Sequence, residues 1–370
     1  MAKSNLHQLS EHGQSVWIDF LSRDMLEEGE LARMMREDAV VGVTSNPTIF
    51  QKAISHGERY DEQLKQLLEQ ETDPKEIFLQ LSSRDVEAAL DLLAPVHEKT
   101  GFDGFVSWEV DPTLAYDREE TFAEAMRLHA WLDRPNLYVK IPATKPGLGA
   151  IEDCVARGKN INVTLIFSLR RYEEVVEAYL RGLERLVAGG GSPKDVYSVA
   201  SFFVSRVDTE ADKRLEAIGT KDALSLRGKL AVANAKLAYE HYQQAFSGPR
   251  WEFLKGKGAN PQRCLWASTS TKNPEYRDVL YVEELIGPET VNTMPQETME
   301  AFQDHGEIRG DTVTKAVKKA HALFDDVARV GVDYDDVTET LELEGVQKFA
   351  DSFAELLNGV AEKRETLATV

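Results

Sequence analysis

One lysine stands out by its setting. Lys140 interrupts the run Leu137-Tyr138-Val139-Lys140-Ile141-Pro142, which otherwise reads as a buried strand. Burial strips an ammonium of its hydration and favours the neutral amine, and a neutral amine can attack a carbonyl to form a Schiff base. A structural lysine paired with a carboxylate is the alternative reading of this segment. Other polar side chains recur where apolar runs end. Asp19 closes the first run, Asn46 follows the second and Glu109 sits in the third. Asn162 and Thr164 alternate in the fifth, which places them on one face of a strand. Ser201 lies in the sixth run with Arg206 just beyond, and Ser268 ends the seventh with Lys272 four residues on. A lysine nucleophile with two carboxylates, amides and hydroxyls suits carbonyl chemistry on a polyol. Arg206, Ser268 and Lys272 suit a phosphate at the rim.

The elements that must position these groups are eight short apolar runs: Val16–Asp19, Val40–Ser45, Phe105–Val110, Leu137–Pro142, Ile161–Phe167, Val196–Val204, Cys264–Thr269 and Thr290–Met294. Most are nearly continuous in apolar residues, as in parallel strands buried on both faces. Segments of helical periodicity lie between them; in one, Tyr172, Val175, Val176, Tyr179, Leu180 and Leu183 share a face. Strands alternating with helices imply βα units. Eight units predict a closed (β/α)₈ TIM barrel over residues 1–370, with additional helices; a nine-stranded open sheet is the alternative. Two helical patterns occupy the interval between Ile49 and Val96, with Asp73-Pro74 as a helix start. Residues 297–370 form a helical C-terminal extension, in which Thr312–Val327 and Glu344–Val360 read as amphipathic helices. The apolar stripe Val346, Phe349, Phe353, Leu356 and Leu357 either covers the barrel or joins two subunits.

Composition narrows the partners. The chain of 370 residues carries 43 Lys plus Arg against 63 Asp plus Glu, a formal charge of −20. That excess disfavours nucleic acid and anionic membrane as partners. No apolar run approaches the length of a membrane span. The N-terminal residues lack the apolar core of a signal peptide and read as mobile. Two cysteines, Cys154 and Cys264, cannot build a disulfide framework and read as small buried residues of a cytoplasmic protein. The eight histidines are dispersed, so no metal site is expected. Phosphate-loop, zinc-protease, EF-hand, dinucleotide-binding and nucleophile-elbow motifs are missing.

Four segments carry a resemblance to a known family. Gly42-Val43-Thr44-Ser45-Asn46-Pro47-Thr48 is similar to the N-terminal signature of the transaldolases. Leu137–Thr144 with Ile161–Ser168 resembles the segment bearing that family's Schiff-base lysine, and Ala200–Arg206 and Leu265–Asn273 also match. The resemblance runs from about residue 10 to residue 360, in order, and the length resembles the longer bacterial members. It implies a (β/α)₈ barrel that needs no cofactor and acts on sugar phosphates as a monomer or homodimer. It further implies that Lys140 forms the Schiff base and that Asp19 takes the hydroxyl proton. Glu109 and Thr164 would hold a water, and Asn46, Asn162 and Ser201 would contact the dihydroxyacetone unit. Arg206, Ser268 and a following cation would bind phosphate. Many members carry an arginine two residues after that serine; here the place holds Ser270, and the nearest cation is Lys272. The implied reaction transfers dihydroxyacetone between aldose phosphates, as in the pentose phosphate pathway. A fructose 6-phosphate aldolase releasing free dihydroxyacetone and a silent sugar-phosphate-binding barrel are the rival readings.

Overall fold

The computed structural model describes residues 4–56 and 58–368. Eight parallel strands close into a barrel in sequence order: β1 Gln14–Ile18, β2 Val40–Val43, β3 Phe105–Glu109, β4 Leu137–Pro142, β5 Ile161–Ile166, β6 Ser198–Phe203, β7 Arg263–Ala267 and β8 Thr290–Met294. Each coincides with one of the apolar runs, so the open-sheet alternative falls. Closure comes from β1 pairing with β8, with Gln14 opposite Thr290 and Ile18 opposite Met294. Boundaries shift by one or two residues. The seventh strand ends at Ala267, and Ser268 turns out of the ladder with a φ of 57°. The sixth begins at Ser198 rather than Val196.

The helices start where side chains can satisfy their first amide groups. Asn46 accepts a hydrogen bond from the Ile49 amide at 3.0 Å, and Pro47 opens the helix Pro47–His56. Asp73 caps the helix Pro74–Thr100, whose first residue is Pro74, as expected from that dipeptide. The segment between Ile49 and Val96 holds three α-helices and a short 3₁₀ turn.

Inside the barrel the strands place alternate residues in layers. Near the N-terminal end Trp17, Phe105 and Tyr138 pack together, with Phe105 and Tyr138 stacked at 4.2 Å. Gly42 makes room for this layer, since a Cβ there would lie 2.4 Å from the Trp17 ring. Beside the aromatics Arg263 pairs with Asp103 at 3.2 Å and donates to the Thr290 carbonyl. The bottom of the barrel is therefore filled by side chains, below a cavity that opens at the C-terminal mouth.

Two further stretches, at the N-terminus and after Asp311, differ from expectation. The N-terminal segment is a helix, Asn5–Glu11, with Leu6 and Leu9 buried and Asn5 donating to the carbonyls of Phe302 and Gly306. Thr312–Val327 is not one helix: Thr312–Thr314 forms a 3₁₀ turn, Ala316 adopts a φ of 60°, and the helix runs from Val317 to Arg329. Thr312 is drawn out of the helical pattern because its hydroxyl donates to the Glu283 carbonyl and accepts from the Ile286 amide.

The final helix, Tyr334–Ala368, is longer than the Glu344–Val360 periodicity. The Tyr334 hydroxyl donates to Asn234 and accepts from the Leu169 amide, which fixes its start to the barrel. Gly345 lets it cross the end of β5, where a Cβ would sit 3.2 Å from Leu165. Farther along, Phe353 meets Phe78 edge-on, and Phe78 meets Phe50. The apolar stripe thus covers the barrel within one chain. Cys154 and Cys264 are buried and unpaired. Among the described residues no helix is long and apolar enough to cross a membrane.

Candidate active site

The C-terminal mouth opens into a cavity of about 720 Å³. Its walls include Asp19, Asn46, Lys140, Thr164, Ser201, Arg206, Ser268 and Lys272, contributed by six strand ends. Glu109 and Asn162 lie just behind these walls. All ten candidate residues therefore gather at one end of the barrel.

Lys140 is 4% exposed. Its ammonium donates to the Ser45 carbonyl at 3.2 Å, and Nζ lies 3.3 Å from Oε2 of Glu109. The register explains the pairing, because β3 and β4 set Glu109 directly beside Lys140. On the cavity side Phe349 of the final helix presents its ring 5.6 Å from Nζ. Nζ is thus partnered on the strand side, while it still reaches the cavity.

The two carboxylates are both driven toward neutrality. Burial pushes Glu109 up to about 7, against the pull of Lys140. Burial pushes Asp19 up to about 6, opposed by Lys140, a hydrogen bond from Thr44, Arg206 and Lys272. Asp19 sits in the first turn after β1, and Thr44 Oγ1 donates to it at 3.2 Å. Acids poised near neutral pH are suited to exchanging protons with a substrate.

On β5, Asn162 and Thr164 face the interior as their alternation predicts. Ser201 donates to Oδ1 of Asn162 at 2.7 Å, and Asn162 donates to Ser107 at 3.0 Å. These bonds fix the amide's orientation. Thr164 is fully buried, yet among the described residues its hydroxyl has no hydrogen-bond partner, and Oε1 of Glu109 has none either, its other oxygen facing Lys140. Buried orphan oxygens on either side of a lysine are costly unless they serve a ligand or water.

The rim is cationic in an otherwise acidic chain. Arg206 is the second residue of the helix Ser205–Ile218 and lies over the Phe203 ring at 5.0 Å. Among the described residues neither Arg206 nor Lys272 has a carboxylate partner. Lys272 donates to Ser270 at 2.6 Å, and Ser268 shares a hydrogen bond with Ser205 at 2.9 Å.

Four contributors went unassigned from the sequence. Thr44 lies inside the Gly42–Thr48 motif with no role of its own, Ser107 carries no reading from the sequence, and Ser270 is notable there only as standing in place of an arginine. Phe349 lay more than two hundred residues from Lys140 in a generic apolar stripe. Only the fold brings it over the lysine.

The fold and site are those of a (β/α)₈ barrel protein with its cavity at the C-terminal mouth, the end at which such barrels carry their active sites. The chain belongs to the transaldolase/fructose-6-phosphate aldolase family, whose model matches residues 16–360. It is 54% identical over 361 residues to a transaldolase of Acidothermus cellulolyticus, covering 97% of both chains. It is 53% identical over 365 residues to one of a Parafrankia species, covering 98% of this chain and 99% of the relative. A transaldolase of Mycobacterium bovis is 51% identical over 366 residues, with 98% of both chains covered.

Proposed function

We propose that this chain is a transaldol transferase, moving a dihydroxyacetone unit from sedoheptulose 7-phosphate or fructose 6-phosphate to an aldose phosphate such as glyceraldehyde 3-phosphate or erythrose 4-phosphate. Full-length identity above half to transaldolases supports the activity. The observation that carries the mechanism is the buried Lys140 amine, held between Glu109 and the cavity.

Lys140 passes a proton to Glu109 and attacks the C2 ketone as the free amine, and the carbinolamine loses water with that proton returned from Glu109, relayed by a water between Glu109 and Thr164. The iminium withdraws electrons from the C3–C4 bond. Asp19 takes the C4 hydroxyl proton, the bond breaks, and an aldose phosphate leaves. The three-carbon enamine stays on Lys140, its hydroxyls held by Asn46, Asn162 and Ser201. It adds to the acceptor aldehyde, the new alkoxide takes the proton from Asp19, and hydrolysis frees the lysine. Arg206, Ser268 and Lys272 hold the phosphate, with Lys272 as a point charge in place of a bidentate arginine. The lysine supplies the electron sink, so the reading requires no metal or organic cofactor. The same reading makes the protein cytoplasmic, in keeping with its unpaired buried cysteines, and a monomer or homodimer whose single barrel spans 1–370 with 297–370 as its helical extension.

Borohydride trapping with fructose 6-phosphate, followed by peptide mapping, tests the reading. A reduced three-carbon adduct on Lys140 is expected. Active protein that yields no adduct would exclude the lysine route. Release of dihydroxyacetone at the same rate with and without an acceptor aldose phosphate would favour the aldolase of the same family.

Two further outcomes follow from the site. Asp19 must be ionised to accept a proton, and its value of about 6 places the change. Below that pH it is protonated, so kcat/KM should fall with unit slope as pH drops through about 6. A profile flat from pH 5 to 8 would contradict the assignment of Asp19. Thr164→Val should leave thermal stability within about 0.5 kcal/mol of the parent, since that hydroxyl bonds no described protein group. Adduct formation should slow roughly tenfold or more; unaltered adduct kinetics would remove Thr164 from the mechanism.

A further inference from the structure

The phosphate subsite proposed above is built from two separate pieces of chain. Arg206 belongs to the helix Ser205–Ile218, and Lys272 belongs to the loop between β7 and the helix Leu280–Glu284. A point-charge lysine and an arginine can share one phosphate only if those pieces keep a set spacing. At the base the spacing is held by the Ser205–Ser268 contacts, in which the Ser205 amide donates to the Ser268 carbonyl at 3.0 Å.

Farther out, a second tie joins the same two pieces. Asp212 lies on the Arg206 helix and accepts a hydrogen bond from the Tyr276 hydroxyl at 2.6 Å. Its other oxygen accepts from the Gly228 amide at 2.9 Å, which orients the carboxylate. Tyr276 stands four residues beyond Lys272, across a turn in which its amide donates to the Asn273 carbonyl at 3.1 Å. The tyrosine ring lies against Gly228, where a Cβ would approach it within 2.7 Å. One helical turn back, Asp208 accepts from Tyr281 at 2.9 Å and from the Ala231 amide at 2.7 Å. This helix therefore offers two acids, one turn apart, each receiving a tyrosine hydroxyl from the chain that follows β7.

We propose that the Asp212–Tyr276 hydrogen bond is a clasp that positions Lys272 opposite Arg206 for a phosphate monoester, so that Tyr276 is a positioning residue for phosphorylated substrates. The inference rests on the phosphate-subsite reading. Lys140 and Asp19 stand on β4 and at the end of β1, so loosening the clasp acts on phosphate recognition and leaves the lysine chemistry in place.

Tyr276→Phe removes only the hydroxyl and keeps the ring against Gly228. With this variant, KM for fructose 6-phosphate and the inhibition constant of inorganic phosphate should rise together, by about five- to thirtyfold. kcat should stay within about twofold, because the reacting groups are untouched. Borohydride trapping with dihydroxyacetone, which bears no phosphate, should keep its concentration dependence. Asp212→Ala should mimic the change, and the double variant should add little to either single one. An unchanged phosphate inhibition constant in Tyr276→Phe would overturn the clasp. So would an equal loss in dihydroxyacetone trapping, which would mark a general distortion. Arg206→Ala supplies the control: if it leaves the phosphate constant of the parent enzyme unaltered, the phosphate subsite itself is wrong and the clasp falls with it.

Discussion

Lys140→Ala is expected to abolish covalent capture of the sugar and to lower turnover by a factor on the order of 10⁵, because the covalent route itself is lost. Nζ lies 3.3 Å from Glu109, a geometry that also suits a purely structural pair. Turnover and trapping separate the two roles. A structural lysine would lose stability when removed, yet its folded fraction would still turn over. Removing the ammonium leaves Glu109 buried, but an acid already raised to about 7 can take up a proton near neutral pH. The variant should therefore remain foldable, and its activity can be referred to folded protein by near-ultraviolet circular dichroism. Normal turnover of that fraction would reject the Schiff-base mechanism.

Asp19→Ala carries the second-largest expectation. The variant should still form the iminium on Lys140, while cleavage of C3–C4 slows by roughly 10²–10⁴, the usual worth of a general base. Trapping then yields an intact six-carbon adduct where the parent yields a three-carbon one. Equal slowing of adduct formation and cleavage would mark Asp19 as structural. A stability measurement adds an independent check. The folded value of about 6 lies above the unfolded value of 3.8. The folded state therefore holds its proton more tightly, and the penalty for burying the charge is fully present above about pH 6 and gone below about pH 4. A rise of that size corresponds to roughly 3 kcal/mol. Asp19→Asn should accordingly gain stability relative to the parent at pH 7.5 but not at pH 4. Burying the Asp19 carboxylate thus costs the fold stability at neutral pH.

Much of this was legible in the chain. A parallel strand covered on both faces must be apolar throughout, so Leu137–Pro142 and Ile161–Phe167 announced themselves. Lys140, Asn162 and Thr164 were conspicuous for the same reason, since a polar side chain in such a strand is expensive without a purpose. Helix starts such as Asn46-Pro47 and Asp73-Pro74 were equally readable, because capping is local. Boundaries set by distant partners were not. Thr312 left its helical pattern for bonds to Glu283 and Ile286, and the N-terminal helix is held by carbonyls near residue 302.

The sequence alone determined the barrel, its eight strands and the set of side chains at their ends, because strand period and burial are properties of adjacent residues. Tertiary structure decided how those side chains meet. The raised values of Asp19 and Glu109 depend on how deeply the closed barrel buries them and on which cations stand nearby. Phe349 reaches Lys140 because the final helix crosses the end of β5, where Gly345 eases a close approach to Leu165. Near the cationic rim a tyrosine from one segment, Tyr276, finds an aspartate on another, Asp212. Such contacts join residues tens to hundreds of positions apart, and periodicity along the chain carries no record of them.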